Sequence, residues 1–268
     1  NGKPVVIQAD GTVAAVTGAT ISEDLTVAAA VEFNSATTQY VEVDYDPNTA
    51  GKFVVVYEDD GNSSYGTAVV GTVSGTTVSF GTPVVFESAS ITRPAIAFNP
   101  NTALKCVIAY QDVGNSQYGT AIVGTVSGTS ISFGSAVVFE SAEADARKFI
   151  AYDHDSSVDK CAMVYQDAGN SAKGTAVVGT ISGTSISFGT PVVFNDASTD
   201  WETIAFDPNN DGKCLISYQD AGNSGYGTAI VGQISGTTMI FGSEFVFNSG
   251  STQFPTVKGG ADPLTANR

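Results

Sequence analysis

The stretch GNSQYGTAIVGTVSGTSISFGSAVVFES at 114–141 decides the fold, because three close copies of it occur elsewhere in the chain. These copies begin at Gly61, Gly169 and Gly222, so that the four first glycines are 53, 55 and 53 residues apart. Self-similarity at a nearly fixed spacing is typical of repeat architectures such as propellers and solenoids. Internal repetition therefore determines the architecture before any single motif is considered.

Each copy belongs to a longer unit with four apolar or alternating runs, which we name A to D in chain order. In the second complete unit they read RPAIAFNP, CVIAYQD, GTAIVGTVSG and SISFGSAVVFES, and such runs predict β-strands. The C–D connection is Ser-Gly in every unit, a hairpin signal, and A–B connections such as DPNTAGK contain typical turn residues. The complete units are predicted at about 36–88, 89–141, 142–196 and 197–249.

A degenerate fifth unit is divided between residues 1–35 and 250–268. PVVIQAD, GTVAAVTG and ISEDLTVAAAVEFNS near the start match strands B, C and D, while TQFPTVK near the end matches strand A. A ring closed by a shared blade explains this division, whereas an open solenoid gives no reason for it. We therefore predict an all-β, five-bladed β-propeller with four-stranded antiparallel blades, spanning 1–268 as a single domain. The alternative is a piece of a longer array.

Charge and cysteine usage exclude several classes of function. The formal charge of −16, from 27 acidic and 11 basic residues, repels phosphate and anionic lipid, so we expect no nucleic-acid partner. No apolar run approaches the ~20 residues that span a bilayer, so we expect no membrane insertion. Cys106, Cys161 and Cys214 recur at one point of strand B, too far apart for disulfides, and are predicted to be buried thiols. His154 is the only histidine, and we expect neither a cofactor nor a metal.

The B–C connection repeats the pattern Asp-x-Gly-Asn-Ser, beginning at Asp59, Asp112, Asp167 and Asp220. A carboxylate before such a turn can accept hydrogen bonds from loop amides. The pattern resembles the Asp-box of sialidase-type propellers, in which the motif is a folding device. We interpret these hairpins as scaffold, with repeated glycan or cation sites as the alternative. The turn DPNNDG at 207–212 has the spacing of half a calcium loop, but it lacks the distal Glu and is interpreted as a turn.

The D–A connections differ between units, and they contain the candidate binding site. At equivalent points, where strand A begins near the axis, they place Tyr40, Arg93, Arg147, Trp201 and Phe254. Aromatic and Arg side chains dominate the energetics of many binding sites. We predict that these five residues bind a ligand at the mouth of the ring. The alternative is that they plug the mouth or pack between blades.

The same end of the ring offers no clear catalytic pair. Glu42, Asp44, Asp200 and Glu202 are the acids near the predicted mouth, and no pattern distinguishes two of them as the acid and base of a hydrolase. We therefore expect that the protein is not an enzyme. A glycan hydrolase of the five-bladed arabinanase or invertase type is kept as an alternative.

Two resemblances suggest a setting. The shared-blade ring looks like the tachylectin type of lectin propeller in architecture, without the residues of its sugar pockets. The module YxDxGNSxYGTAxVGTxSGTSISFGxxVVFES, between Glu58 and Ser249, resembles repeats of structural and tail-associated proteins of marine phages. These likenesses imply a binding propeller on a virion appendage or other extracellular surface. The expected partners are a glycan or host-surface ligand and other virion or surface proteins; a purely structural decoration or spacer is the alternative.

Overall fold

The computed structural model describes residues 5–7, 13–15, 30–145, 150–155 and 157–258. Their regular structure consists of β-strands and four single 3₁₀ turns, so the all-β prediction is confirmed. Strands β1 (Val5–Ile7) and β2 (Val13–Ala15) form an antiparallel hairpin, as predicted for strands B and C of the shared unit. In the described ranges, no helix has the length and apolar character needed to cross a membrane.

The other strands form four consecutive antiparallel units with strands A to D, and strand D of each unit consists of two shorter strands in succession. The first unit contains β3 (Thr38–Tyr45), β4 (Lys52–Asp59), β5 (Tyr65–Ser74), β6 (Thr77–Phe80) and the start of β7 (Val84–Phe98). The second contains the end of β7, β8 (Lys105–Asp112), β9 (Tyr118–Ser127), β10 (Ser130–Phe133) and β11 (Val137–Asp145). The third contains β12 (Ile150–Tyr152), β13 (Lys160–Asp167), β14 (Lys173–Ser182), β15 (Ser185–Phe188) and the start of β16 (Val192–Phe206). The fourth contains the end of β16, β17 (Lys213–Asp220), β18 (Tyr226–Ser235), β19 (Thr238–Phe241) and β20 (Phe245–Ser251).

The four 3₁₀ turns lie in the repeated B–C hairpins and keep the same position in every unit. They span Asp60–Asn62, Val113–Asn115, Ala168–Asn170 and Ala221–Asn223.

Strand D is interrupted, although the sequence predicts a single strand. In the second unit, β10 and then β11 pair with successive parts of β9. The three residues between them belong to neither β10 nor β11, although the amide of Gly134 donates to the carbonyl oxygen of Val123 on β9 at 3.0 Å. Gly134 lies in this interruption, where a Cβ would stand 1.9 Å from the carbonyl oxygen of Thr184 in the third unit. The break therefore allows the outer edge of one unit to approach the C–D turn of the next.

A phenylalanine from strand D joins each unit to the next one. Phe139 is 7% exposed, and its ring centroid lies 5.4 Å from that of Tyr165 and 5.5 Å from that of Phe188, both in the following unit. On its own unit the ring covers Gly119, where a Cβ would stand 2.5 Å from the ring. Phe86 and Phe194 make the same contacts. Close packing of this aromatic cluster explains the repeated glycine in strand C.

A lysine at the start of strand B makes a second repeated contact between units. The Nζ atoms of Lys52, Lys105 and Lys160 donate to carbonyl oxygens in the Ser-Gly turn of the following unit, at 2.9, 2.8 and 2.6 Å. The acceptors are Gly128, Gly183 and Gly236. The lysines that precede Phe53, Cys106 and Cys161 therefore bridge neighbouring units, a role that sequence comparison did not reveal.

The three cysteines are free and buried, which confirms the prediction of buried thiols. Burial raises the pKa of each thiol, that of Cys214 to about 12. A thiol with so high a pKa forms little reactive thiolate near neutral pH. These residues fill strand B as small apolar side chains.

A carboxylate holds the buried tyrosine of strand B in the second and third units. Tyr110 donates to Oε2 of Glu87 at 3.1 Å, and Tyr165 donates to Oε2 of Glu140 at 3.0 Å. Each Glu follows the interlocking Phe and belongs to strand D of the preceding unit. The hydrogen bond therefore satisfies a buried hydroxyl across the unit boundary.

The boundary between the third and fourth units uses a different carboxylate for the same hydrogen bond. Asn195 occupies the position of the strand D Glu, while Glu244 stands where the other units have Pro83, Ala136 or Pro191. Tyr218 donates to Oε1 of Glu244 at 2.9 Å, and Asn195 Nδ2 donates to the same oxygen at 3.0 Å. The carboxylate here comes from the interruption between β19 and β20 in the unit of Tyr218 itself, while the bond to the tyrosine is retained.

The number of blades and the closure of the ring depend partly on residues beyond the described ranges. The single-domain organisation over 1–268, the five blades and the shared blade therefore stay predictions.

We predict that Glu244→Ala lowers the free energy of unfolding by about 1–2 kcal/mol, because it removes the carboxylate that accepts from the buried Tyr218. The double variant Asn195→Glu/Glu244→Ala should recover most of this loss, since it restores the arrangement found around Tyr110. Urea denaturation of the three proteins measures both effects. A double variant no more stable than Glu244→Ala would contradict the exchange of carboxylates.

Candidate functional site

Four of the five predicted site residues share one unusual backbone conformation. The φ angles of Tyr40, Arg93, Trp201 and Phe254 are 47°, 50°, 62° and 55°. L-residues with bulky side chains seldom occupy this left-handed region. The D–A connections therefore have a common geometry although their sequences differ. The fifth predicted residue, Arg147, lies outside the described residues.

In Tyr40, Arg93 and Trp201 this conformation belongs to a β-bulge at the start of the inner strand. In β3, Tyr40 and Val41 together oppose the single Tyr57 of β4. Strands β7 and β16 have the same register shift at the equivalent point. An extra residue of this kind bends the strand and redirects a side chain. The direction of the Tyr40 side chain is thus set by the backbone of the bulge.

The redirected side chains meet around one cavity of about 260 Å³, which we call the mouth cavity. Its lining includes Tyr40, Glu42, Arg93, Trp201 and Phe254. The ring centroids of Trp201 and Phe254 are 4.2 Å apart with a tilt of 42°, so the two rings form a continuous apolar wall. Tyr40 is 41% exposed and Phe254 is 55% exposed. The structure thus brings four of the predicted residues together and leaves aromatic surface accessible there.

A second cavity of about 450 Å³, the channel, is lined by the inner strands β3, β7, β12 and β16 and by Val257 and Lys258. Small side chains such as Ala97, Ala151 and Ala205 keep it open. Glu42 lines both this channel and the mouth cavity. A carboxylate therefore stands where the two cavities adjoin.

Asp44 is the second acid of the channel, and backbone amides hold its carboxylate. Its Oδ2 accepts from the amide of Phe98 at 2.7 Å, and its Oδ1 accepts from the amide of Tyr45 at 3.0 Å. Burial raises the pKa of Asp44, while these two hydrogen bonds and the positive charge of Lys258 oppose the rise. The side chain links the first and second units, since Phe98 lies on β7.

Arg93 is paired within the site. Its Nη1 atom contacts Oδ1 of Asp145 at the end of β11, and the two side chains are 26% and 36% exposed. A fork of this kind is the preferred partner of a carboxylate. The positive charge of Arg93 is therefore already balanced by a neighbouring acid.

Glu202 is not accessible at the mouth, although the sequence analysis placed it among the acids there. It follows Trp201 in the bulge of β16, but its side chain is only 1% exposed and accepts a hydrogen bond from Thr199 Oγ1 at 2.5 Å. Burial raises the pKa of Glu202 to about 7, and the nearby charge of Asp200 adds to the rise. A side chain so deeply buried cannot contact a ligand, and it acts as part of the support for the bulge.

The GNS hairpins behave as scaffold in the structure. Asp112 Oδ1 accepts from the amide of Asn115 at 3.0 Å, and Asp220 Oδ1 accepts from the amide of Asn223 at 3.1 Å. The hairpin glycine abuts the D–A connection that begins its unit: a Cβ on Gly114 would stand 2.4 Å from Cβ of Ala89. These contacts support the structural interpretation of the motif.

In the turn 207–212, the carboxylate of Asp207 accepts hydrogen bonds from within the turn. Asp207 accepts from the amide of Asn209 at 2.9 Å and from Nδ2 of Asn210 at 2.7 Å. Across the described ranges, no group of three or more His, Cys, Asp or Glu side chains is arranged to hold a metal ion.

Comparison with known proteins gives distant structural likeness and no family. No family model and no curated protein matches the chain. An exo-β-1,3-galactanase of Phanerochaete chrysosporium with β-1,3-galactotriose superposes with a TM-score of 0.48 and 13% identity, over 80% of this chain and 51% of that one. The Aleuria aurantia lectin with α-methyl-L-fucoside gives 0.43 and 17%, over 75% of this chain and 58% of the lectin. The chain thus spans about half the length of the galactanase.

We predict that Tyr40→Gly is more stable than Tyr40→Ala by about 1 kcal/mol, because glycine adopts a φ of 47° without the steric cost that alanine carries. Both variants remove the same exposed ring, so their difference isolates the backbone. Thermal and urea unfolding of the pair measures it. Equal stabilities would show that the left-handed conformation is not retained in solution.

We predict that Glu202→Gln reduces the dependence of stability on pH. In the wild type, the folded state keeps a proton on Glu202 between pH 4.5 and about 7 that the unfolded state releases, so stability falls as pH rises through this range. The variant lacks this loss and should gain roughly 1–3 kcal/mol relative to the wild type between pH 4.5 and 8. Urea unfolding at several pH values measures the difference. A constant difference between the two proteins would contradict the shifted pKa.

Proposed function

We propose that this chain is a non-enzymatic propeller that binds carbohydrate in its mouth cavity. The observation that carries the proposal is the convergence of four unlike side chains, in one strained backbone conformation, on a single cavity. Each such residue costs of order 1–3 kcal/mol, and strain of this kind tends to persist where it serves a site. A scaffold alone does not require it, because glycine would relieve the strain at every one of these positions.

The chemistry of the cavity suits a sugar. Trp201 and Phe254 supply a tilted apolar wall against which the C–H face of a pyranose can pack, and such aromatic surface contributes strongly to binding energy. Glu42 adds carboxylate oxygens that can accept hydrogen bonds from hydroxyl groups. Apolar walls with a few fixed polar groups are the usual composition of a ligand site.

The remaining parts of the proposal concern architecture and setting. The segment Phe254–Lys258 lines the same cavities as the four inner strands, which supports its assignment to strand A of a fifth blade. We retain the five-bladed ring closed by a shared blade, and the binding of a glycan or host-surface ligand on an extracellular or virion surface. The acidic composition, with a formal charge of −16, agrees with such a setting without requiring it.

A glycan hydrolase is the second candidate, because two acids line the channel. Glu42 and Asp44 are two residues apart on β3 and line the same cavity, which separates their Cα atoms by about 7 Å. From such Cα positions the side chains can bring two carboxyl groups to the ~5–9.5 Å that separates the paired carboxyl groups of glycosidases. The two amide hydrogen bonds to Asp44, however, occupy its oxygens and favour a structural role for that residue.

The test of the proposal is a glycan array probed with the wild type and with Trp201→Ala. We expect selective binding by the wild type and at least a tenfold weaker affinity in the variant, because half of the apolar wall is lost. Tyr118→Lys is a matched control: it changes an aromatic residue to the one that Lys173 supplies at the same place in the third unit, and binding should persist.

Two other outcomes would replace the proposal. Absence of binding to every glycan by the wild type would favour a structural spacer. Hydrolysis of a bound oligosaccharide that is lost in both Glu42→Gln and Asp44→Asn would favour the hydrolase.

A further inference from the structure

We propose that the mouth cavity selects a single neutral sugar ring and discriminates against acidic saccharides; this inference rests on the proposed function of the same cavity. The residues that decide the selection are Glu42, Arg93 and Asp145. They define the charge that a ligand meets at the bottom and at the side of the cavity.

Among the described residues that line the mouth cavity, Arg93 is the cation, and its charge already has an acidic partner. Its Nη1 atom contacts the carboxylate of Asp145 at the end of β11. A uronic acid, sialic acid or sulfate that approached Arg93 would compete with this carboxylate for the guanidinium. The pair is partly exposed, so it presents dipoles to a sugar hydroxyl without a net positive charge.

The carboxylate of Glu42 favours ligands that donate hydrogen bonds. Glu42 stands where the mouth cavity adjoins the channel, half-buried on β3. An ionised carboxylate offers about four acceptor positions, so it can accept from a ligand hydroxyl in addition to its interactions within the protein. Hydrogen bonds from hydroxyl groups to a carboxylate are strengthened by the charge. A second carboxylate brought beside it, in surroundings of reduced dielectric, would instead be repelled.

The size of the mouth cavity matches a single sugar ring. Its volume of about 260 Å³ lies below the ~300–1,000 Å³ of sites for drug-sized ligands. Trp201 and Phe254 form one wall, which a single pyranose face can cover. Further sugar residues of a glycan would therefore extend outside the mouth cavity and contribute less to selectivity.

The net negative charge of the protein also disfavours acidic saccharides at long range. Salt separates this effect from contact with Glu42. A formal charge of −16 repels every anionic glycan at low ionic strength. This repulsion is screened at 1 M salt, where the Debye length is about 3 Å, whereas contact with Glu42 is not. Selection by the cavity therefore predicts a preference for neutral sugars that survives high salt.

The experiment measures affinities for neutral oligosaccharides of glucose, galactose, mannose and fucose and for their uronic-acid and sulfated counterparts, at 0.15 M and 1 M NaCl. We expect the preferred neutral sugar to bind at least tenfold more tightly than its acidic counterpart at both salt concentrations. Glu42→Gln keeps an acceptor of the same shape and should narrow this ratio, whereas Glu42→Ala should weaken binding of the neutral sugar. Asp145→Asn should increase the affinity for the acidic counterpart, because it leaves Arg93 without its carboxylate.

Several results would overturn the inference while leaving the proposed function intact. Trp201-dependent binding of acidic saccharides as tight as that of neutral ones is the clearest. A neutral preference that vanishes at 1 M NaCl, or that is unchanged in both Glu42→Gln and Asp145→Asn, would place the selection in the overall field and not in the cavity. Failure of every saccharide to bind would instead contradict the proposed function itself.

Discussion

The packing of a strand D phenylalanine between its own unit and the next is the interaction on which the rest of this structure depends. Phe139 rests on Gly119 and at the same time contacts Tyr165 and Phe188, so one ring determines how closely two sheets approach. The space it needs exists only because strand C has no side chain at that point. Since the contact recurs at Phe86 and Phe194, consecutive units repeat the same offset. A common cavity lined by the inner strands follows from that regular offset.

The tyrosine in this contact also connects the scaffold to the candidate site. Tyr57, Tyr110 and Tyr218 are fully buried, and each is the single residue that opposes the two bulged residues of the neighbouring inner strand. The ring of the preceding unit's phenylalanine fixes the tyrosine from one side, and the bulge lies against it across the ladder. The positions of Tyr40, Arg93 and Trp201 are therefore set by groups that recur in the units. Their identities are less constrained, because these side chains line the mouth cavity and not the repeated core.

Comparison of the units predicted much of this arrangement from sequence. Strand content and the convergence of Tyr40, Arg93, Trp201 and Phe254 could be inferred, because equivalent positions in repeated units must occupy equivalent places. The interruption of strand D could not, since it depends on the distance between Gly134 and a turn in the next unit. Nor could the left-handed residues: without glycine, nothing in the local sequence of Tyr40 or Trp201 indicates a positive φ. The burial of Glu202 and the pairing of Arg93 likewise depend on neighbours distant in sequence.

Variation between the units separates scaffold from site more sharply in the structure than in the sequence. Where the scaffold changes, a second change offsets it: Asn195 loses a carboxylate, and Glu244 returns one to the same tyrosine hydroxyl. At the mouth, an aromatic ring, a guanidinium and an indole occupy equivalent positions; the guanidinium contacts Asp145, and the strained backbone beneath all three is kept. If these positions served packing alone, we would expect either the same side chain in every unit or glycine, which adopts a positive φ without strain. Retention of both the diversity and the strain is what a cavity requires when unlike side chains must contact different parts of one asymmetric ligand.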